Sequence, residues 1–355
     1  ENVELLIPQK RVIIKDIMDN EKKVKVKKGL LKLKVPSSPI QIITDKEINV
    51  EGWKRVDRGL KRLRDTYEIK VGKTKLVIVP FLGGRIIEYS IEGKNVMRQI
   101  PENFGFRVEE KGYFHPGGFQ FDLLNEKGEA ISRVEPELWV GEYKVSVENP
   151  YKLKLTSPLS KKSKIQLIRE IEVDKKSGKV TITQTAINHS DKEVTLSIWD
   201  RTWTIAPCFV FLPVIRSKEL PDGWTYLSKN HQSTASEQFT TLDNLLIVIP
   251  KGEQCQILID TDAGWIGYVR DNLIYIKEYS IEKLKNYPWG YPVSIFLSGK
   301  NRMMAELEPV SPLKKLAPKE KISFKEEWYL KKLNKPITDI KELPKLRRFI
   351  EKWLR

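Results

Sequence analysis

Residues 168–185 read Ile-Arg-Glu-Ile-Glu-Val-Asp-Lys-Lys-Ser-Gly-Lys-Val-Thr-Ile-Thr-Gln-Thr, and this stretch indicates the fold most clearly. Apolar and polar residues largely alternate on both sides of a short turn at 175–178. Such alternation places every second side chain on one face of a β-strand, and a turn with Gly between two alternating runs is typical of a hairpin. The sequence therefore predicts an antiparallel hairpin here.

The same period-2 pattern recurs along the chain, whereas segments with helical periodicity are few. Alternating runs separated by Gly, Pro, Asn and Asp occupy residues 74–80, 85–91, 144–147, 179–186, 193–199 and 321–330. We therefore predict an all-β protein whose main part, from about residue 67 to about residue 330, is a large antiparallel β-sandwich.

Three further segments surround this predicted sandwich. Residues 1–46 form a small strand-rich block, and residues 47–66 form a charged linker that we expect to be helical, because Trp53, Val56, Leu60 and Leu63 would share one face. Residues 331–355 form a tail that ends in a short amphipathic helix around Trp353. We expect this helix to pack on the sandwich, with a helix lying on a membrane surface as the alternative.

Composition narrows the class of partner. The net charge is +16, which raises nucleic acid as a ligand, but Lys and Glu alternate, as in 319–321, without an aromatic platform for bases. We therefore predict no nucleic acid partner and a solvated surface of the kind found in thermophile proteins. No apolar run is long enough to cross a bilayer, so we predict no membrane partner, while a cytoplasmic or an exported location stays open.

The cysteines and the chain start leave further alternatives open. Cys208 and Cys255 lie in apolar runs and suggest buried thiols, although the two could pair with each other. The sequence begins at Glu1 without a signal-peptide pattern, so either a leader was removed or the chain belongs to a longer polypeptide. The upstream part of such a polypeptide, or a second copy of the chain, is an expected partner.

Histidine and glycine mark one loop that could carry chemistry. His115 precedes Pro116, Gly117 and Gly118 beside aromatic residues, and a loop histidine can act as an acid or base near neutral pH. An ordinary polar contact is the alternative for this residue. His189 and His231 lie in turn-rich segments, and no spacing of histidines and cysteines suggests a metal site, so we predict no cofactor.

Two glutamates two residues apart form the second candidate. Glu306 and Glu308 would point to the same face of a strand, where mutual repulsion and crowding raise a pKa. Two ordinary surface glutamates are the alternative. Tryptophans are numerous enough for sugar stacking, although most are expected in the core, and Trp289 in a turn-rich loop is the best candidate for an exposed one.

The order of these motifs resembles the galactose-mutarotase-like superfamily, and within it a branch found in bacteria. The resemblance runs through about 260 residues and rests on "Gly-Gly-Arg-Ile", the His-Pro-Gly-Gly loop, "Asn-His-Ser" before "Ser-Ile-Trp", and the segment from Glu306 to Leu330. It implies a supersandwich fold and a sugar ligand, either a monosaccharide or an oligosaccharide. Residues 1–46 resemble the small β-sandwich that closes many multidomain glycoside hydrolases, which suggests that the chain is part of such a protein.

In aldose 1-epimerases of this superfamily, a late-strand Glu is the base and a His protonates the ring oxygen. The resemblance assigns the Glu to Glu308, with Glu306 as its neighbour, and the early binding His to His115. The strand that should carry the second His, residues 195–202, has none, and Asp200 or Arg201 are its only candidate substitutes. The sugar-binding candidates are Arg85, Trp289, Trp199, Asp200 and Arg201.

Three functions remain open from the sequence. The first is a carbohydrate-binding module without catalysis, associated with a glycoside-hydrolase-like protein. The second is an aldose 1-epimerase-like enzyme that interconverts sugar anomers with Glu308 as base. The third is a component of a polysaccharide-degrading hydrolase or lyase.

Overall fold

A computed structural model describes residues 2–6, 11–16, 21–25, 30–34, 40–43, 52–56, 65–104, 114–132, 135–228, 236–283 and 286–354. The chain divides into two compact units, Glu1–Lys54 and Arg55–Arg355. Each unit is built around antiparallel β-sheets, as the alternating sequence predicts.

The described residues of the small unit include five short strands, in line with the strand-rich block that the sequence predicts. They are β1 (Asn2–Leu6), β2 (Arg11–Asp16), β3 (Glu21–Lys25), β4 (Leu30–Lys34) and β5 (Ile40–Ile43). Strands β1 and β4 form a two-stranded sheet, and β3, β2 and β5 form a three-stranded sheet in that order.

The large unit consists of two extensive sheets and few helices. The remaining strands are β6 (Lys54–Val56), β7 (Thr66–Val71), β8 (Thr74–Val79), β9 (Arg85–Ile91), β10 (Lys94–Asn95), β11 (Phe119–Leu124), β12 (Lys144–Asn149), β13 (Lys152–Thr156), β14 (Ile165–Val173), β15 (Val180–Asn188), β16 (Val194–Ile205), β17 (Phe209–Pro213), β18 (Trp224–Tyr226), β19 (Phe239–Leu242), β20 (Leu245–Val248), β21 (Cys255–Ile259), β22 (Trp265–Arg270), β23 (Leu273–Tyr279), β24 (Val293–Leu297), β25 (Met304–Pro309), β26 (Lys314–Leu316) and β27 (Lys321–Lys332). The α-helices are α1 (Pro136–Trp139) and α2 (Leu343–Trp353), and single 3₁₀ turns lie at Pro80–Leu82, Pro101–Asn103, Ser236–Gln238, Lys300–Arg302 and Ile340–Glu342.

The first large sheet runs in the order β18, β21, β24, β25, β16, β11, β9, β8, β7, β6, with β10 and β26 attached at its margins. The second runs in the order β12, β13, β14, β15, β27, β23, β22, β17, β20, β19. Side chains of the two sheets meet between them, as where Tyr89 of β9 donates its hydroxyl to the carbonyl of Trp328 at 3.3 Å. The predicted antiparallel sandwich is therefore confirmed.

The hairpin that opened the sequence argument is present. Strands β14 and β15 pair from Ile165 with Asn188 to Val173 with Val180, so the turn at 174–179 joins them directly. Alternation along β14 buries Ile165, Leu167, Ile171 and Val173. Here local sequence and long-range packing agree, which is why the pattern predicted this element well.

Helix α2 covers part of the second sheet. Its buried residues Leu343, Leu346 and Ile350 pack in one apolar cluster with side chains of β17, β20, β22 and β23, including Phe211 and Trp265. The predicted terminal helix is thus present and docked on the sandwich. Among the described residues, no helix is both long and apolar enough to cross a lipid bilayer.

The predicted helix over residues 47–66 does not form at Lys54–Val56, which are strand β6 at the margin of the first sheet. Leu60 and Leu63 lie outside the described residues, as does Tyr113 before the histidine loop. Cys208 and Cys255 are both buried and both free, so the alternative of a disulfide between them is wrong.

Candidate functional site

Four neighbouring strands of the first sheet line one cavity of the large unit. Strands β21, β24, β25 and β16 are adjacent, and directly paired residues share a face of the sheet. Glu306 lies between Trp203 and Phe296, and Glu308 pairs with Ser294. The cavity has a volume of about 850 Å³ and is lined by Phe114, His115, Trp199, Arg201, Trp203, Gly252, Glu253, Gln254, Gln256, Phe296, Ser298, Gly299, Lys300, Asn301, Met304, Glu306 and Glu308.

Glu306 and Glu308 share a face of β25, as their spacing predicts. They are not surface residues, because their relative exposure is 1% and 0%. The alternative of two ordinary surface glutamates is therefore wrong. Burial of two carboxyl groups side by side demands hydrogen-bond donors or a shared proton, since an uncompensated buried charge is strongly destabilising.

Donors converge on Glu306. The guanidinium of Arg201 lies 2.9 Å from Oε1, and the indole N–H of Trp203 donates to the same oxygen. His115 Nε2 lies 3.5 Å from Oε1. A carboxyl group surrounded by a guanidinium and N–H donors is stabilised in its ionised form, because each donor needs a lone pair to accept it.

Glu308 has different surroundings. The hydroxyl of Ser294 donates to Oε2 at 2.6 Å, and the side-chain amide of Gln256 donates to the same atom at 3.1 Å. Arg201 is farther away, with Nε 3.7 Å from Oε1. Burial and the adjacent charge of Glu306 raise the pKa of Glu308 to about 8, against the opposing effects of Arg201, Ser294 and Trp199. The raised pKa expected from crowding is present, with burial as its main cause.

Two glycines hold the histidine loop against its neighbours. Gly117 and Gly118 have φ of 84° and 72°, and a Cβ at these positions would come within 2.2 Å of the Arg98 carbonyl and 2.3 Å of the Ile86 carbonyl. Only glycine fits such close approaches at positive φ. These close approaches pack the loop against Arg98 and Ile86 and place His115 at the cavity.

The orientation of His115 is set by its own loop. The backbone N–H of Gly117 donates to Nδ1 at 3.0 Å, so in the neutral ring Nε2 carries the proton and faces Glu306. The ring stacks on Trp203 with centroids 3.5 Å apart and an interplanar angle of 12°. His115 is 4% exposed, so these contacts lie inside the protein.

Aromatic side chains and one guanidinium form the wall next to the carboxyl groups. The guanidinium of Arg201 lies 4.3 Å from the ring centroid of Trp199, a cation–π arrangement. Trp199 in turn meets Trp289 edge to face, with centroids 5.4 Å apart. Trp289 does not line the cavity; it is half-buried and donates its indole N–H to the Gly128 carbonyl at 3.2 Å. The predicted exposed stacking residue therefore supports the wall from behind.

Asp200 and Arg201 point to opposite faces of β16, because successive side chains alternate along a strand. Arg201 lines the cavity, whereas Asp200 lies between the two sheets, where it forms an ion pair with Lys277 and accepts a hydrogen bond from Gln184 at 2.8 Å. Lys277 also lies 3.2 Å from Glu326. Of the two candidate substitutes for the missing histidine, only Arg201 is at the cavity.

Arg85 is buried but does not line the cavity. Its guanidinium donates to the Gly117 carbonyl at 3.1 Å and lies 4.8 Å from the ring centroid of Trp139. It therefore supports the histidine loop, and the prediction that it contacts the sugar directly does not match its position. His189 is also absent from the cavity, and His231 lies outside the described residues.

Three residues of the site were not among the candidates: Gln256 and Phe296, which line the cavity, and Ser294, which donates to Glu308. They lie on β21 and β24, which come to this part of the sheet through strand pairing, so nothing in their own segments of sequence marks them. Trp203 could have been found, because it lies two residues after Arg201 on the same face of one strand. In the part of the chain that the structure describes, no group of three or more His, Cys, Asp or Glu residues could hold a metal ion.

Comparison with known proteins places the chain among mutarotase-like folds. A sequence model of a domain of unknown function, DUF4380, matches residues 123–331. A search of curated proteins finds no match. Among solved structures, a putative mutarotase (YeaD) from Salmonella typhimurium is similar at a TM-score of 0.52 with 11% identity, over 79% of this chain and 97% of that chain.

Two further solved structures extend this comparison. A galactose mutarotase-like protein from Clostridium acetobutylicum has a TM-score of 0.51 and 14% identity, over 79% of this chain and 98% of that one. A TPR-domain containing protein from Parabacteroides distasonis has a TM-score of 0.51 and 13% identity, over 93% of this chain and 54% of that one. At such identities the likeness establishes the fold, and the large unit has the galactose-mutarotase-like fold.

Proposed function

The chain belongs to the DUF4380 domain family and its large unit has the galactose-mutarotase-like fold, and from these premises we propose that the cavity beside Glu306 and Glu308 binds a carbohydrate. The observation that carries the proposal is the composition of the cavity wall. Trp199, Trp203 and Phe296 present rings, while buried carboxyl and guanidinium groups lie on the same face of the sheet. Sugars offer apolar C–H faces to rings and hydroxyls to such polar groups.

The size of the cavity is compatible with a small sugar. A volume of about 850 Å³ falls within the range of ordinary ligand pockets, roughly 300–1,000 Å³. A monosaccharide or the end of an oligosaccharide would fit. Glu253, Lys300 and Asn301 lie among the lining residues of two loops, 252–254 and 298–301, where they could reach additional hydroxyl groups.

A test of binding uses the intact chain and calorimetric titration with D-glucose, D-galactose and cellobiose. We expect at least one of these sugars to bind, and Phe296→Ala to weaken that binding about tenfold, since one lost ring contact is worth about 1 kcal/mol or slightly more. Phe349→Ala is the matched control, because Phe349 is exposed on α2 away from the cavity. Equal affinity for the wild type and Phe296→Ala, or no binding of any of the three sugars, would contradict the proposal.

Interconversion of sugar anomers is the second candidate function. It is favoured by one specific observation: His115, Glu306 and Glu308 line the same cavity, with His115 Nε2 3.5 Å from Glu306. Ring opening and closure require one group that accepts the anomeric hydroxyl proton and one that donates to the ring oxygen. A site that holds two carboxyl groups in different surroundings can supply both.

Exchange spectroscopy by NMR distinguishes catalysis from binding alone. We expect the wild type to accelerate interconversion of the anomers of a sugar that it binds, relative to buffer. A protein that binds the sugar without any acceleration would be a non-catalytic carbohydrate module, and the second candidate would then be wrong. Association with a glycoside hydrolase and action on polysaccharide gain no support from any described contact.

A further inference from the structure

Anomer interconversion needs a proton donor to the ring oxygen, and the strand that should supply it contains no histidine. Strand β16 presents Trp199, Arg201 and Trp203 to the cavity. A guanidinium keeps its proton at any ordinary pH, and an indole does not act as an acid, so neither can give up a proton at a useful rate. The remaining candidate donors that line the cavity are the Nε2–H of His115, which faces Glu306, and the two carboxyl groups of β25.

The contacts of Glu308 fit a neutral carboxylic acid. Its Oε2 accepts two hydrogen bonds, from Ser294 and Gln256, which is what a carbonyl oxygen does. Its Oε1 accepts no hydrogen bond of normal geometry from the described residues and is the oxygen nearer to Arg201 Nε, at 3.7 Å. Glu308 lines the cavity with its Oε1 buried, so a ligand must displace neighbouring atoms to receive a proton from that oxygen.

The contacts of Glu306 fit an ionised carboxylate in the same cavity. Arg201 and Trp203 both donate to its Oε1, and neither could do so if that oxygen carried a proton pointing at them. The pair on β25 is thus divided by its neighbours into one proton donor and one proton acceptor. This division follows from side chains on three different strands, β16, β21 and β24.

We propose that Glu308 donates the proton to the ring oxygen of the sugar, and that Glu306 accepts the proton of the anomeric hydroxyl. The inference rests on the anomer interconversion proposed above and assigns the two proton transfers within it. It also reverses the role that sequence resemblance gives to Glu308, which is that of the base.

The proposed step is balanced without any co-reactant. Glu306 takes the proton of the anomeric O1–H, and the electron pair of that bond forms the C1=O1 double bond. The bond between C1 and the ring oxygen breaks, and its electron pair stays on that oxygen, which takes the proton from Glu308 Oε1. After half a turn about C1–C2, the same oxygen adds to the opposite face of C1, returns its proton to Glu308, and O1 regains a proton from Glu306.

Charged and polar groups face Glu308 from three strands besides its own. Glu306 on the same strand favours the neutral acid with its negative charge, Arg201 on β16 opposes it, and Trp199 on β16, Ser294 on β24 and Gln256 on β21 are neutral donors. From behind the sheet, Lys277 also interacts electrostatically with Glu308. The effect of burial on the pKa of Glu308 exceeds the opposing effect of the Arg201 guanidinium. The pKa is therefore raised to about 8, and the acid form predominates near neutral pH.

The direction of the pH profile tests the assignment. We expect the second-order rate constant for anomer exchange of D-glucose or D-galactose, measured by NMR on the intact chain, to fall as pH rises through about 8. We expect Glu308→Gln to lose about 100-fold or more, as for other general acids, while its sugar affinity changes little because an amide resembles a neutral acid. Glu172→Gln, on an exposed position of β14, is the matched control with an unchanged rate.

Two outcomes separate failure of this inference from failure of the proposed function. A wild-type rate that rises with pH through the same range makes Glu308 the base, which overturns the donor assignment and leaves interconversion intact. No acceleration by the wild type at any pH overturns the interconversion and the donor role together.

A third measurement needs no turnover. The infrared difference spectrum of wild type minus Glu308→Gln at pH 6.5 should contain the carbonyl band of a protonated carboxyl group, and this band should disappear above pH 9. A difference spectrum with only carboxylate bands at pH 6.5 overturns the assignment whatever the rate.

Discussion

Glu308 lies on the cavity face of the first sheet and Lys277 on β23 of the second sheet, and burial shifts each toward its neutral form. Desolvation raises the pKa of the Glu308 carboxyl and lowers the pKa of the Lys277 ammonium, in both cases to about 8. The groups that donate hydrogen bonds to Glu308, Ser294 and Gln256, are neutral. Lys277, in contrast, has two acidic neighbours, Asp200 and Glu326. At the scale of single residues, the partners around a charge therefore decide whether burial removes that charge or retains it.

The raised pKa of Glu308 makes a testable contribution to stability. Between its ordinary value of 4.5 and about 8, the folded chain holds a proton that the unfolded chain has released. The free energy of unfolding must then decrease as pH rises through this window, by up to about 1.4 kcal/mol per pH unit for one proton. Urea unfolding from pH 5 to pH 8 should show this slope in the wild type and in Glu172→Gln, and a smaller slope in Glu308→Gln. Equal slopes in all three proteins would mean that Glu308 does not hold the additional proton of the folded chain.

Removal of the buried ammonium should be costly. Lys277→Met leaves Asp200 and Glu326 buried without their cation, and loss of one partner of a buried ion pair typically costs about 3–5 kcal/mol. We expect a loss of that size in urea unfolding at pH 7. Lys315→Met, at a side chain that is 75% exposed, should change stability by less than about 0.5 kcal/mol. A similar small effect of both substitutions would mean that the buried network does not stabilise the sandwich.

At the scale of elements, the alternating pattern predicted the strands of the large unit well, including β9 and the hairpin of β14 and β15. It predicted the shared face of Glu306 and Glu308, because that depends only on spacing along one strand. It did not predict Ser294 and Gln256 beside Glu308, because their positions depend on the pairing of β24 with β25 and of β21 with β24, and not on spacing along one strand. Turn composition likewise does not reveal that Trp289 packs on Trp199.

The glycine loop that presents His115 provides a prediction at this scale. Gly117→Ala would place a Cβ within 2.2 Å of the Arg98 carbonyl and force a side-chain-bearing residue to φ of 84°. We expect a loss of stability well above the roughly 1–2 kcal/mol that the left-handed conformation alone costs, together with weaker sugar binding, because the loop must move His115.

The matched control for this loop is Gly93→Ala. Its φ is 79°, but nothing lies within 4 Å of the added Cβ, so only the conformational cost applies. Urea unfolding and sugar titration of both variants separate the close approach from the conformation. Equal losses of stability, or unchanged sugar affinity in Gly117→Ala, would show that the close packing of the loop does not position His115.

At the scale of the whole large unit, the two sheets differ in how they are covered. The first sheet carries the cavity, and the second carries α2 over an apolar surface that includes Phe211, Ile274 and Ile276. The sequence predicted that a terminal helix would dock, because its apolar residues recur on one face. It could not predict which sheet receives the helix, since that depends on how the strands are ordered.

Docking of α2 predicts a contrast between two neighbouring residues. Ile350 is fully buried against the second sheet, whereas Phe349 is 51% exposed. Ile350→Ala should lower the free energy of unfolding by about 2–5 kcal/mol, because it leaves a cavity in that cluster. Phe349→Ala should change it by less than about 0.5 kcal/mol. Similar effects in urea unfolding would indicate that the helix is not packed as described.

Burial of β16 on both faces has a consequence for how the chain finds its pairing. Residues 196–204 are all buried, so apolar patterning gives little preference between the observed register and one shifted by a single residue. Charge supplies that preference. A slip would bring Asp200 beside Glu306 and Glu308, and would bring Arg201 toward Lys277, replacing attraction by repulsion on both faces at once. Arg201, Glu306 and Glu308, which line the cavity on one face, therefore also favour the observed register of β16 over a register shifted by one residue.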